Sequence, residues 1–102
     1  MSKSKTVPVP VSDLYAAFAD GGRRELWLPG VALRVRTTIA DKSMRITWPD
    51  GTNVEAQFVS KGPAKSSVTV VHSKLASAEA VAQAKAYWGE RLAALAEVLT
   101  AR

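Results

Sequence analysis

His72 is the one imidazole in a chain of 102 residues that has no cysteine. Those two counts settle much of the reactive chemistry. A thiolate nucleophile, a disulfide framework and a thiolate metal site are excluded, as is a zinc centre built from several histidines. The nine Asp and Glu residues are dispersed and show none of the spacing of a calcium loop. No phosphate-cradling loop, dinucleotide fingerprint or nucleophile elbow occurs. What is left for acid–base work is His72 beside a carboxylate. Glu55 alternates with Val54 and Ala56 and is expected on the wet face of its strand, and Glu90 lies next to an apolar stripe with no evident partner. A lone strand histidine is more often a satisfied structural group. No catalytic residue, metal or cofactor is therefore assigned, and the chain reads as a binding module before an enzyme.

Two further sets of residues have types and spacing suited to binding. Aromatic rings joined by apolar neighbours form the first: Tyr15, Phe18, Trp27, Met44, Trp48, Phe58, Val70, His72, Trp88 and Leu92. These side chains are candidates to line a pocket for an apolar small molecule, with His72 or an inward arginine as its polar anchor and Tyr87 nearby. The same rings are what the core of so short a chain requires, and both readings stand. Arginines form the second set. Arg34, Arg36 and Arg45 fall on the outward positions of adjacent strands, with Arg23, Arg24 and Lys42 in addition. They suit an acidic protein partner, or they simply solvate a sheet face.

Fourteen Lys and Arg against nine Asp and Glu give a net charge of +5. That balance alone would admit nucleic acid. Arginines interleaved with exposed aromatics on one face are missing, however, and so is a basic helix with base-reading side chains. Nucleic acid is not the expected partner. No apolar run approaches the ~20 residues that span a bilayer, and the opening Met1-Ser2-Lys3-Ser4-Lys5 has no apolar stretch behind it. The expected compartment is the cytoplasm, with no membrane partner.

The elements that must position these residues follow from periodicity. Val7, Val9 and Val11 alternate with Thr6, Pro8 and Pro10, which predicts a short first strand with one free side. Ser12 is the expected cap of a first helix carrying Leu14, Tyr15, Ala17 and Phe18, and Asp20-Gly21-Gly22 breaks it. Arg23 to Leu28 reads as a second short helix, stopped by Pro29-Gly30. From Val31 to Leu75 the chain reads as four strands. Leu33, Val35, Met44, Ile46, Trp48, Val54, Ala56 and Phe58 point inward, and reversals fall at Pro49-Asp50-Gly51 and Gly62-Pro63. Valines and threonines alternate along the last strand. Val68, Val70 and His72 are placed inward because hydroxyls suit water, although a slip of one residue would reverse that. From Ser77 onward, Val81, Ala84, Trp88, Leu92, Leu95 and Leu99 recur at helical spacing. Roughly 24 residues at ~1.5 Å give a rod of ~36 Å, long enough to cross five strands at ~4.8 Å each.

This layout is α+β: a curved antiparallel sheet of about five strands wrapped around a long C-terminal helix, with two short helices after the first strand. Residues 1–102 are read as one domain, without repeat or linker.

Three segments give the chain a family resemblance. They are Thr6 to Phe18, with prolines leading into the first helix; Arg24-Glu25-Leu26-Trp27-Leu28-Pro29-Gly30; and Val68 to Leu75 followed by Ala86-Tyr87-Trp88-Gly89-Glu90-Arg91-Leu92-Ala93-Ala94-Leu95. Together they resemble the helix-grip (START-like, SRPBCC) superfamily. More narrowly, they are similar to bacterial relatives of the activator of the ninety-kilodalton heat-shock-protein ATPase, a group also called polyketide cyclase-like. The middle of the chain is shorter than in typical members, so the resemblance implies a reduced domain with a small pocket or none. It implies binding of a hydrophobic small molecule between sheet and helix or, alternatively, a co-chaperone-like protein-interaction role. It carries over no catalytic residue. A homodimer through a sheet edge is a further expectation.

Overall fold

The computed structural model describes residues 1–101. Its elements run β1 (Ser2–Val7), α1 (Val11–Ala19), α2 (Gly21–Arg24), β2 (Arg34–Ile39), β3 (Ser43–Thr47), β4 (Asn53–Gly62), β5 (Lys65–Ser73) and α3 (Ala78–Thr100). The strands form one antiparallel sheet in the order β1-β5-β4-β3-β2. Consecutive strands β2 to β5 are a meander. The first strand closes the far side against β5, so the two sheet edges are β1 and β2.

Alternation decides which face is covered. Met44 and Ile46 on β3, Val54, Ala56 and Phe58 on β4, and Val68 and Val70 on β5 are all nearly inaccessible. His72 follows Val70 on the same face, as the hydroxyl argument predicted. The apolar stripe of α3 closes over them through Ala84, Trp88, Leu92 and Leu95. Ser77 caps this helix as expected, its Oγ accepting from the Ala80 amide at 3.1 Å. In α1, Leu14, Ala17 and Phe18 face the same core.

Four local expectations are corrected. First, the opening strand ends at Val7, before Pro8, because a proline has no N–H to extend the ladder. Second, Ser12 lies inside α1 and does not cap it; Pro10 occupies the capping position, and no side chain bonds there. Third, the second helix starts two residues early. Asp20 accepts from the Gly22 and Arg23 amides at 2.9 and 3.3 Å, so the supposed breaker nucleates a turn. Trp27 and Leu28 follow α2 outside any helix yet are buried. Fourth, Val35 does not face a covered core. All six residues of β2 are exposed, and Leu33 just before it is only half-buried. The strand that α3 meets most extensively is β1, at the opposite edge of the sheet from β2.

Candidate binding site

Two groups of aromatic rings fill the layer between sheet and α3. At one end Phe18 lies against Trp27 and Phe58, with ring centres 4.6 and 5.2 Å apart, and Tyr15 meets Phe58 edge-on at 5.4 Å. The Trp27 indole donates to the Ala17 carbonyl at 2.9 Å, which ties the loop after α2 to α1. Phe18 and Trp27 are each 1% exposed and Phe58 is buried, so this end is shut apart from the half-buried margin of Tyr15.

At the other end Trp48, His72, Tyr87 and Trp88 form a second group. Trp48 stands 5.1 Å from Trp88, 5.8 Å from His72 and 6.0 Å from Tyr87. Tyr87 meets Trp88 edge-on at 5.6 Å. This end reaches the surface, because Trp48 is half-buried and Tyr87 is 38% exposed. Leu33 and Trp48 each lie one residue beyond the Arg34–Thr47 pair of the β2–β3 ladder, so the half-buried Leu33 borders the same opening. Burial pushes the Tyr87 phenol up from its ordinary pKa, with Arg91 acting against the rise and Glu90 with it. Arg91 donates to the Trp27 carbonyl at 3.2 Å and pairs with Glu90 at 3.1 Å, a partner the sequence did not reveal.

A chain of hydrogen bonds runs through the second group, and its direction is forced. An indole N–H can only donate. The Trp88 indole reaches His72 Nδ1 at 3.1 Å, so Nδ1 must offer a lone pair. The neutral ring then carries its proton on Nε2, which donates to Thr52 Oγ1 at 2.6 Å. The Thr52 hydroxyl donates onward to Asp50 Oδ1 at 2.5 Å, and the Thr52 amide donates to the same oxygen at 3.0 Å. These two bonds hold the Asp50 carboxyl below its usual range. With Nε2 protonated and Nδ1 occupied, His72 has no lone pair to take a proton from a substrate. An Asp–Thr–His sequence in space is here a structural strut. Burial lowers the His72 pKa, against the opposing pull of the Asp50 charge. Asp50 and Thr52 were read from the sequence only as part of a turn. The Asp-x-Thr spacing within Pro49-Asp50-Gly51-Thr52 was the available signal, since an Asp commonly bonds the backbone two residues on. Gly51, at φ +86°, closes that turn.

The structure thus divides the candidate residues between two ends. Tyr15, Phe18, Trp27 and Phe58 are at the shut end, and Trp48, His72 and Trp88 at the open one. Met44, Val70 and Leu92 are core residues, each at most 1% exposed. Clefts occur elsewhere. One of about 290 Å³ lies on the outer face of the sheet, lined by Arg36, Arg45, Asn53, Val54, Glu55, Val71 and Ser73. Another, of about 350 Å³, is bordered by Asp13, Ala17, Arg23, Leu26, Val98 and Leu99. No group of metal-binding side chains occurs among the described residues, and no helix there is long and apolar enough to cross a membrane.

No protein-family model and no curated protein matches the chain. Solved structures do match. DynU16, a protein of the dynemicin biosynthetic locus, is similar with TM-score 0.86 and 20% identity, over 99% of this chain and 47% of its own. The chain therefore spans about half of that neighbour's length. The Aha1 dimer from Colwellia psychrerythraea gives TM-score 0.85 and 14% identity, over 99% of this chain and 96% of that one. An AHSA1-like protein from Rhizobium etli gives 0.79 and 18%, over 100% and 82%. The shared feature is the fold: a helix-grip, with an open antiparallel sheet laid on a long C-terminal helix.

Proposed function

We propose that this domain is a non-catalytic binding module that holds an apolar, ring-sized group at the open end of its interlayer, against Trp48 and Tyr87. One observation carries the reading. Of two aromatic groups built into the same layer, one has only the half-buried Tyr15 at its margin, whereas the other presents a half-buried indole together with Tyr87, which is 38% exposed. Aromatic faces at the mouth of a layer offer a large contact area, and Tyr adds a hydroxyl to fix orientation. His72 does not serve as the polar anchor, because both of its ring nitrogens are already used. The interlayer beneath is filled by its own side chains, so the ligand sits on the rim and is not swallowed.

The experiment is a thermal-shift screen with fused-ring and phenolic compounds, read together with indole fluorescence. A compound that binds the rim raises the melting temperature, quenches Trp48, and loses both effects in Trp48→Ala and Tyr87→Ala. A panel that moves neither signal in the unaltered chain overturns the reading.

A further inference from the structure

The two edges of the sheet are treated differently. Along β1 the helix α3 packs close, and the stem of Lys3 lies in van der Waals reach of the helix at Gly89. The β2 edge has no such cover. All six of its residues are exposed, and residues 34–38 make no backbone hydrogen bond beyond their ladder with β3. An uncovered edge matters because its bare row of N–H and C=O groups accepts another strand. Val35 and Ile39 are 37% and 53% exposed, giving the edge apolar grip as well as hydrogen bonds.

Charge on and beside this edge has one dominant sign. Arg34, Arg36, Lys42 and Arg45 belong to β2, β3 and their turn, with Asp41 the sole carboxylate of that hairpin. The ladder shifts register between Val35 and Thr37, and Arg36 joins Arg45 in lining the outer-face cleft of about 290 Å³. Arg45 gives its Nε to Glu55 at 3.1 Å. The guanidinium groups of Arg34 and Arg36 have no ion pair among the described residues.

We propose that β2 is a docking edge for an extended, carboxylate-bearing peptide segment of a partner protein, which adds as a sixth strand and lays its acidic side chains on Arg34, Arg36 and the cleft beside Arg45. The ladder supplies affinity and the arginines choose the sign. A second copy of this chain is a poorer occupant, because self-pairing would bring the same cations of both copies to one seam. The edge adjoins the aromatic rim only at Arg34 and runs away from it toward Ile39, and the proposal does not depend on the ligand reading above.

The test uses the full chain, labelled for amide NMR, and a fluorescein-tagged peptide of alternating Glu and Val as probe. Binding at low salt should shift and protect the amides of residues 34–38, leaving the buried Trp27 and Trp88 indole signals in place. Replacing two central valines of the probe by proline keeps its charge and breaks its ladder. That change should weaken binding about tenfold or more, as should Arg34→Glu with Arg36→Glu in the protein. Arg34→Gln with Arg36→Gln gives a milder loss and guards against a misfolded reversal. Several results overturn the proposal: no binding of the probe at low salt, equal binding of the proline probe, tighter binding of a poly-dT oligonucleotide, indifference to both arginine pairs, or shifts centred off β2. Concentration-dependent dimerisation that protects the same amides without peptide also overturns it, by assigning the edge to a second copy.

Discussion

The sealed and the open ends of the interlayer share a plan, in which a tryptophan packs among other rings and its N–H finds an acceptor. They differ in what the acceptor is. Trp27 donates to the Ala17 carbonyl, a backbone group with no second state. Trp88 donates to His72, which titrates, and that bond leads on through Thr52 to the exposed carboxylate of Asp50. One end is fixed by packing; the other is fixed by packing and by a protonation state. A sealed end can only be broken by removing volume, whereas the open end can also be loosened by removing or adding a proton.

The largest effect should come from volume. Trp27→Ala empties a site that is 1% exposed, contacts Phe18, and supplies the tie to Ala17. A loss of about 3–5 kcal/mol is expected for such a truncation, measured by urea unfolding. A loss under about 1 kcal/mol, the range of ordinary surface changes, would mean that this end is not the sealed plug of the domain.

A smaller but more telling effect is expected at the open end from Trp88→Phe. The ring is largely kept and the donor is lost, leaving Nδ1 of His72 buried without a partner. The direct cost is about 1–3 kcal/mol. The same change should flatten the pH dependence of stability. In the unaltered chain, protonation puts a hydrogen on Nδ1 facing the Trp88 N–H, and burial already depresses the His72 pKa below 6.5. The charged groups facing it are Asp50, which favours the cation, and the Met1 ammonium, which opposes it. The unfolded chain therefore takes up a proton at a higher pH than the folded one. The contribution of His72 is complete above its unfolded pKa of about 6.5 and is lost as pH falls toward the lower folded value. Unfolding midpoints at stepped pH, for the parent and for Trp88→Phe, check the sign. A parent whose stability rises as pH falls through this range would contradict the tautomer assignment.

Strand parity, the meander, the capped C-terminal rod and its stripe were legible in the sequence, because each rests on local rules that tertiary contacts only reinforce. Ser77 followed by a helical stripe and the alternation of Val68, Val70 and His72 are examples. The reach of α3 was not legible. Its length says that it can cross the sheet, but the side toward which it leans is a matter of packing, and so Val35 was placed inward although it is exposed. The division of the aromatics between two ends was hidden for a similar reason. Trp27 and Trp88 are 61 residues apart in a sequence that does not state which rings meet. Asp50 and Thr52 were visible as a turn, yet their bond to His72 spans 20 residues. Ser66 shares the covered face with Val68 and Val70, but its hydroxyl bond to the Val9 carbonyl at 2.8 Å joins residues 57 apart, which no local rule gives.

The finest test concerns Thr52 as the middle link of the polar chain. Thr52→Val keeps the branched shape and deletes the hydroxyl, so the His72 Nε2–H loses its acceptor and Asp50 loses a donor, though not the Thr52 amide. Thr52 is half-buried and water can reach part of the gap, so the loss should be about 1 kcal/mol, at the level of one net hydrogen bond. The shape of the pH curve is the sharper readout. The hydroxyl bond is the leading cause holding the Asp50 carboxyl below its usual range. Without it Asp50 should titrate higher, and the part of stability that fades as pH falls through the carboxylate range should shrink. Trp88→Phe acts instead on the histidine range. Two substitutions at the same end of the interlayer are thus expected to flatten two different stretches of one curve, and Trp27→Ala at the sealed end should lower the whole curve without flattening either. If Thr52→Val and Trp88→Phe flatten the same stretch, Asp50 and His72 titrate as a single unit and the strut is a proton-sharing pair.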